Sequence, residues 1–432
     1  MNRRDFSKKL FAFAVTSALV GSYSCTNNKK KVTFLIISGW QTVNIGDIAH
    51  TPGLLAFIDE FFPDAEYYLW PKDIEDNGVE NMLVSNFPKL KIIKENYNKT
   101  DYSITQELKT VFDQCDILIH GSGPHVLEIE KLKTWMKHTK KPFGVCGVTE
   151  QKIYPDLANI IDRAAFFMTR ETKSLEIIRQ YKKSNEASCF FPDATFNLKL
   201  KNEYKAETFL SKTGLKKKEY ICIVPRLRIT PYYKIHSYIK WSEEKINEVN
   251  ALNDQYKEID HEKLRTVMIK WVRETGKKVL VCPEMQYQTE IMDELIINPL
   301  PEDVKSNVFK RDYWITDEAA STYKNAFAVI SMECHSPIIS YANNTPAFYI
   351  RQKEDTIKGQ MYYDIGLEDW VFEIDETTGD QIYDRLKQIM NDASIAPKKI
   401  ENAYTIINKQ NQIAINMIHH ALTIKHIGEN KQ

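Results

Sequence analysis

The chain has 432 residues, 58 basic and 58 acidic side chains, 43% hydrophobic and 11% aromatic residues, enough for about two globular domains. Its formal net charge of zero produces no global field, which excludes recruitment of nucleic acid or an anionic membrane by bulk charge. After residue 31 no run approaches the roughly 20 apolar residues that a spanning helix needs.

In chain order, residues 1–31 come first. "MNRRDFSKKL" is a basic start with paired Arg3 and Arg4, followed by the apolar "FAFAVTSALV" and small residues up to Cys25. This is the pattern of a twin-arginine signal peptide, with "TNNKKK" as a tether, and the expected destination is the periplasm. "SYSC" resembles a lipobox loosely, because Tyr23 stands where a small residue is usual, and makes Cys25 a candidate lipid anchor. The other cysteines (Cys115, Cys146, Cys189, Cys222, Cys282, Cys334) lie singly with no C-x-x-C pair, and read as small core residues rather than zinc ligands or a disulfide framework.

The short β-rich runs "VTFLIIS", "EYYLW", "DILIHG", "KPFGVCG", "AFFMTR" and "ASCFFPD" alternate with amphipathic stretches such as Ile104 to Phe112 and Thr172 to Tyr181. After the polar, lysine-rich stretch from Leu198 to Tyr220, the alternation restarts at "YICIVPR" and continues through "KKVLVCPE", "NVFKR", "AFAVIS" and "TPAFYI". The restart predicts an α/β fold with two Rossmann-like domains, over 32–205 and 206–395. Ala396 to Ile427 reads as a long closing helix, and 396–432 as a brace folded back on the domains.

Ligands of open α/β sheets bind beyond the carboxyl ends of the strands, so polar residues just after the apolar runs are the candidates. After the first strand, Gly39, Asn44, Gly46, Asp47 and His50 form a polar turn expected to open a helix near Pro52. Gly121, Ser122 and Gly123 follow "DILIH" and are expected to turn backbone N–H groups toward an anion. Arg170 and Glu171 start a helix after "FFMT". His335 and Glu333 follow the strand "AVIS". No His or Asp spacing marks a metal site, and no cofactor is expected.

These stretches, in this order, resemble the polysaccharide pyruvyl transferase family over roughly Val32 to Trp370. The resemblance rests on "NIGD" (Asn44 to Asp47), "GSGP" (Gly121 to Pro124), "TRETKSLEII" (Thr169 to Ile178), "FPDATF" (Phe191 to Phe196), "ICIVPR" (Ile221 to Arg226) and "AVISMECHSPIISYANNTPAFYI". It implies a glycosyltransferase-B-like fold with its active site in the interdomain cleft. It also implies transfer of an enolpyruvyl unit from phosphoenolpyruvate to two hydroxyls of a polysaccharide or oligosaccharide, forming a ketal. By the same resemblance His335 is the acid/base, and Arg226, with Arg228 as understudy, clamps a carboxylate. Asn44, Asp47 and the Gly121–Gly123 loop line the substrate.

One position departs from the family: where it has Arg-Leu-His, this chain has Glu333-Cys334-His335, an anion for a cation. At a site for a doubly charged phosphoryl group that exchange repels the usual donor. Arg351 and Lys358, in the stretch after the last core strand, together with Lys353 and Gln360, are placed to restore the charge. The departure and the export signal favour an alternative, an exported hydrolase that removes pyruvate ketals with His335 and Glu333 as its acid and carboxylate. A third reading is a non-catalytic glycan-binding relative, with Trp40, Tyr232, Trp314 and Trp370 stacking on sugar rings.

If residues 1–31 direct twin-arginine export, changing both Arg3 and Arg4 to Lys will leave full-length precursor in the cytoplasmic fraction, while the wild-type chain appears processed in the envelope. Equal fractionation of the two would refute the export reading.

Overall fold

The computed structural model describes residues 31–181 and 187–429. The segment expected from the sequence to be a signal peptide, with Arg3, Arg4 and Cys25, lies outside the described residues.

Two parallel sheets organise the chain from Val32 onward. The first holds β1 (Thr33–Ile37), β2 (Glu66–Leu69), β3 (Leu90–Ile92), β4 (Ile117–His120), β5 (Phe143–Val148), β6 (Phe166–Thr169) and β7 (Ser188–Phe190), in the order β3-β2-β1-β4-β5-β6-β7. The second holds β8 (Tyr220–Val224), β9 (Lys278–Val281), β10 (Val308–Lys310), β11 (Ala328–Ser331), β12 (Ala347–Arg351) and β13 (Val371–Glu373), in the order β10-β9-β8-β11-β12-β13. Every pairing in both sheets is parallel. Parallel strands need crossover connections that cover both sheet faces, which is why their sequences read as near-continuous apolar runs. Each apolar run picked out in the sequence is a strand. The edge strands β3 and β13, three residues each, are too short and too polar to show a pattern.

Each sheet is doubly wound: the chain builds outward from its first strand, then returns to the other side. The switch points therefore fall between β1 and β4 and between β8 and β11. The polar stretch after Leu198 is more ordered than its composition suggests. It contains a helix over Glu203–Thr213, capped at its start by the Asn202 side chain and at its end by Gly214 in the left-handed conformation.

The helix after β1, α1 (Ile45–Phe61), starts seven residues before the expected Pro52, which lies inside it. The Asn44 side chain explains the early start: it accepts from the N–H groups of Gly46 (2.7 Å) and Asp47 (3.3 Å), satisfying two donors that a helix terminus otherwise leaves unpaired. Two glycines let α1 approach its neighbours closely. A Cβ on Gly46 would lie 2.4 Å from the His335 ring, and one on Gly53 would lie 2.2 Å from the carbonyl oxygen of Ala194.

The last long helices are α2 (Glu243–Thr275) and, after the short α3 (His335–Tyr341), α4 (Ile395–Glu429). α4 returns to the first sheet as the expected brace. Ile407, Ala414, Ile415 and Ile418 are buried along it. The Tyr404 hydroxyl donates to the Phe196 carbonyl (2.9 Å) and the Asn411 amide to the Asn197 side chain (2.7 Å).

Replacing Gly53 by Ala tests the close approach of α1. Helix propensity alone would stabilise such a variant by up to about 1 kcal/mol. The contact with Ala194 instead predicts a loss of about 1–3 kcal/mol, measured by urea unfolding.

Candidate active site

The carboxyl ends of the strands in both sheets deliver polar side chains to one seam. From the first sheet come Thr149 and Glu150 after β5, Arg170 and Glu171 after β6, and Asp193 after β7. From the second come Arg226 after β8, Glu284 after β9, Glu333 and His335 after β11, and Asp355 after β12. The loop before α1 is tied across the seam: Ile45 N–H donates to the Glu284 carbonyl (2.9 Å), Gln286 N–H to the Val43 carbonyl (2.9 Å), and the Thr316 hydroxyl to the Ile45 carbonyl (2.6 Å).

Two buried clusters result. In the first, Asp193 Oδ2 accepts from Arg170 (2.9 Å) and lies 3.3 Å from His50 Nε2 and 3.6 Å from His335 Nε2. The two imidazole Nε2 atoms are 3.1 Å apart. On its other side His335 Nδ1 faces Glu284 Oε1 at 3.4 Å, and Glu284 Oε2 accepts from the N–H (2.6 Å) and hydroxyl (2.8 Å) of Ser336. Burial works to raise the pKa of Asp193, but His50 and His335 outweigh it and hold the carboxyl well below its usual range. Burial works to depress His335, and Cys334, Asp193 and Glu284 outweigh it, so its pKa stands well above the ordinary histidine value.

The second cluster surrounds Arg226. Its guanidinium pairs with Asp355 and has Nε 3.5 Å from Glu333 Oε1. Asp355 also takes Lys358 Nζ (2.9 Å) and the Tyr349 hydroxyl (2.6 Å). Burial, partly offset by Arg226, pushes the Glu333 carboxyl up to about 7. Gln288 joins the clusters: its Nε2 donates to Glu333 (2.8 Å), while its Oε1 accepts from the backbone of Glu284 (2.7 Å) and Met285 (3.0 Å). Tyr232 is half-buried within electrostatic reach of Asp47, Glu333, Arg226 and Lys358, and burial with Asp47 and Glu333 pushes its pKa up to about 12. Gln41 bridges Asp47 to His236 Nε2 (2.9 Å), so the segment after Arg228 is fastened to the first sheet's loop.

The residues expected from the sequence divide accordingly. Glu333, Arg226 and Lys358 come together, with Asp47 within electrostatic reach of Tyr232 beside them, and His335 stands in the adjoining cluster with Asp193 and Glu284. Arg228 is committed elsewhere: it forms two bonds to Asp260 on α2 (2.6 and 2.8 Å) and pairs with Asp375 (2.6 Å), holding its loop rather than a substrate. Arg351 likewise pairs with Glu373 on the neighbouring strand (2.7 and 2.8 Å). Asn44 acts as a helix cap. The N–H groups of Gly121 and Gly123 do not face an anion; they donate to the carbonyls of Ile37 (2.9 Å) and Gly147 (3.3 Å), and the Ser122 hydroxyl accepts from Ala194 N–H (2.9 Å). That loop positions the turn beside Asp193. Of the four aromatics considered for sugar stacking, Trp40, Trp314 and Trp370 are buried in packing contacts, and Tyr232 is the one at the site. Glu284, Gln288 and Asp355 were not singled out, although Glu284 directly follows "VLVCP" and obeys the rule that marked the others.

Two doubly wound sheets with polar strand ends meeting at one seam define a glycosyltransferase-B-type architecture. The protein belongs to the polysaccharide pyruvyl transferase family, whose model matches residues 44–354. The matched span includes Arg226, Glu333 and His335 and ends just before Asp355. A comparison with curated proteins finds no significant match. Among solved structures, the chain is similar to S. aureus MnaA in a co-structure with UDP (TM-score 0.54, 11% identity, 91% of this chain and 97% of that one). It is similar also to UDP-GlcNAc 2-epimerase from Neisseria meningitidis bound to UDP-GlcNAc (0.56, 10%, 90% and 100%). A third is Anabaena Alr3699/HepE in complex with UDP and glucose (0.51, 9%, 91% and 100%). At such identities the likeness is one of fold.

Burial has a measurable consequence at Glu150, whose carboxyl accepts from Val126 N–H (2.8 Å) and is pushed up to about 7 chiefly by desolvation. A carboxyl with a folded pKa above its unfolded one binds its proton more tightly when folded, so it lowers stability as pH rises from the unfolded toward the folded value. Glu150→Gln keeps the acceptor and removes the charge. The variant should gain on wild type by roughly 2–3 kcal/mol between pH 5 and 8, read from urea unfolding at the two pH values.

Proposed function

We propose that the chain transfers a pyruvyl group from phosphoenolpyruvate to two hydroxyls of a glycan, forming a cyclic ketal and releasing phosphate. Membership of the family supports a transferase of this kind. The observation that carries the reading is the Glu333–Arg226 pair, linked through Gln288 and Glu284 to His335, at the meeting of the two sheets' carboxyl edges. Arg226 and Lys358 bind the donor's carboxylate, displacing part of their contact with Asp355. Glu333, beside the guanidinium, gives its proton to the methylene carbon of the enol phosphate, and the carboxylate so formed takes up the proton of the first hydroxyl that adds to C2. The second hydroxyl then displaces phosphate from C2 and its proton leaves with the phosphate, while the protonated His335 is the positive pole that steadies charge on that leaving group. Tyr232 lies against the sugar. We infer from residues 1–31 that the mature protein acts outside the cytoplasmic membrane, with Cys25 as its lipid attachment.

The charge balance favours one second reading. Arg226 and Lys358 are both already matched by carboxylates, which suits a ligand with a single carboxylate, such as a pyruvate ketal, better than phosphoenolpyruvate. In that case the protein hydrolyses the ketal and releases pyruvate.

Purified mature protein, given phosphoenolpyruvate and acceptor glycans, should release phosphate, and Glu333→Gln should slow this by ~10²–10⁴-fold while remaining folded. Pyruvate released from pyruvylated glycan, with no phosphate in the first assay, would assign hydrolysis instead. Silence in both assays with glycan binding retained would leave a binding protein.

A further inference from the structure

His50, Asp193 and His335 come from three distant parts of the chain, yet each brings one ligand-type atom within 4.8 Å of the other two. The separations are 3.1 Å between the two Nε2 atoms, 3.3 Å from His50 Nε2 to Asp193 Oδ2, and 3.6 Å from His335 Nε2 to the same oxygen. A tetrahedral ion with bonds of about 2.0–2.1 Å to nitrogen and oxygen spaces its ligand atoms about 3.3–3.4 Å apart, which these values bracket.

We propose that His50, His335 and Asp193 form a binding site for a divalent transition-metal ion of zinc type, with one coordination position left for water or an anionic ligand.

The surroundings fit a metal in three respects. His335 presents its other nitrogen, Nδ1, to Glu284 Oε1 at 3.4 Å, the carboxylate–histidine arrangement that fixes the ring of a ligating imidazole. Glu284 is itself held by Ser336 through its other oxygen, which leaves Oε1 to face His335 Nδ1. Asp193 is braced on both sides, with Oδ1 accepting from Thr195 N–H (2.9 Å) and Oδ2 from Arg170 (2.9 Å), which leaves Oδ2 a second lone pair for an ion. Charge points the same way. Asp193, Glu284 and Glu171 are all buried, with the Arg170 guanidinium beside Asp193, so acidic groups outnumber that cation at the site and a bound cation offsets the surplus.

Packing holds the ligands in place. His50 lies within α1, whose start is set by Asn44, and His335 is seated against Gly46, where a side chain would fill the space of its ring. Asp193 sits at the turn that Ser122 fastens to the loop after β4 and that packs against Gly53 of α1. Three rigid elements therefore present the donors with no rearrangement needed.

Occupancy does not depend on the pyruvyl reading, since metal uptake can be measured without turnover. If both hold, the ion takes over the positive pole assigned above to protonated His335, and proton delivery stays with Glu333.

Full-length mature protein, stripped with a chelator and dialysed against Zn²⁺ or Co²⁺, should retain one equivalent per chain. The cobalt form should show the strong visible absorption of a four-coordinate ion, with no thiolate charge-transfer band. His50→Gln should lose the equivalent, and Glu284→Gln should bind ~10–100-fold more weakly, as expected for a carboxylate that orients a ligand. Zn²⁺ should raise the melting temperature of wild type and leave that of His50→Gln unchanged. No stoichiometric uptake by folded wild type, a thiolate band, or undiminished uptake by folded His50→Gln would overturn the proposal. Should His50→Gln fail to fold, the wild-type cobalt spectrum decides by the same criteria.

Discussion

A carboxylate removed from water must be met by cations or donors, and Asp193 is the position where this requirement organises the protein. Its side chain is wholly buried, and it draws Arg170 from the neighbouring strand end, His50 from α1 and His335 from the second sheet. Those partners lie on elements that share no local sequence. Satisfying one buried charge therefore fixes how α1, the turn after β7 and the start of α3 sit against one another. The glycines at 46 and 53 are the steric side of the same arrangement, since each removes a side chain that would separate these elements.

The Arg226 cluster obeys the same electrostatics with a different result. Here the cations are matched by Asp355 and Glu333, with Tyr349 and Gln288 completing the hydrogen bonds. In place of a bare cationic cradle for a highly charged donor, the seam holds an internally neutralised network. A ligand entering it exchanges its own carboxylate for one of the protein's, so recognition there is a competition between anions and selects by how many charges the ligand carries. The Glu-Cys-His sequence at 333–335 is where the chain departs from the family's Arg-Leu-His pattern, and it lies within this network.

The two parallel sheets make such a seam unavoidable. All strands of a parallel sheet end on the same side, so every strand leaves its last backbone groups and first loop side chains at one edge. Turning two such edges toward each other concentrates polar groups in a water-poor space. The bonds of Ile45 and Gln286 across the seam, and of α4 to Phe196 and Asn197, hold the facing edges in register.

The alternation of apolar runs with amphipathic stretches determined the strands and the doubly wound α/β class, because a strand buried on both faces must be apolar throughout. Position just beyond such a run marked His335 and Glu333, whereas Arg226 came from the family resemblance and Lys358 from the cation that Glu333 replaces in it. The short strands β3 and β13 stayed hidden, since three residues carry no period. The start of α1 was misplaced at Pro52 because a proline suits a first turn, while the hydrogen bonds of the Asn44 side chain decided otherwise. Arg228 and Arg351 could not be told from Arg226 by sequence, as their acidic partners Asp260, Asp375 and Glu373 are chosen by strand order and helix packing. Least legible was the meeting of His50, Asp193 and His335: 143 positions separate the first two and 142 the last two. Only the crossing of two sheets, with burial removing the water that would otherwise screen each charge, brings them to one point.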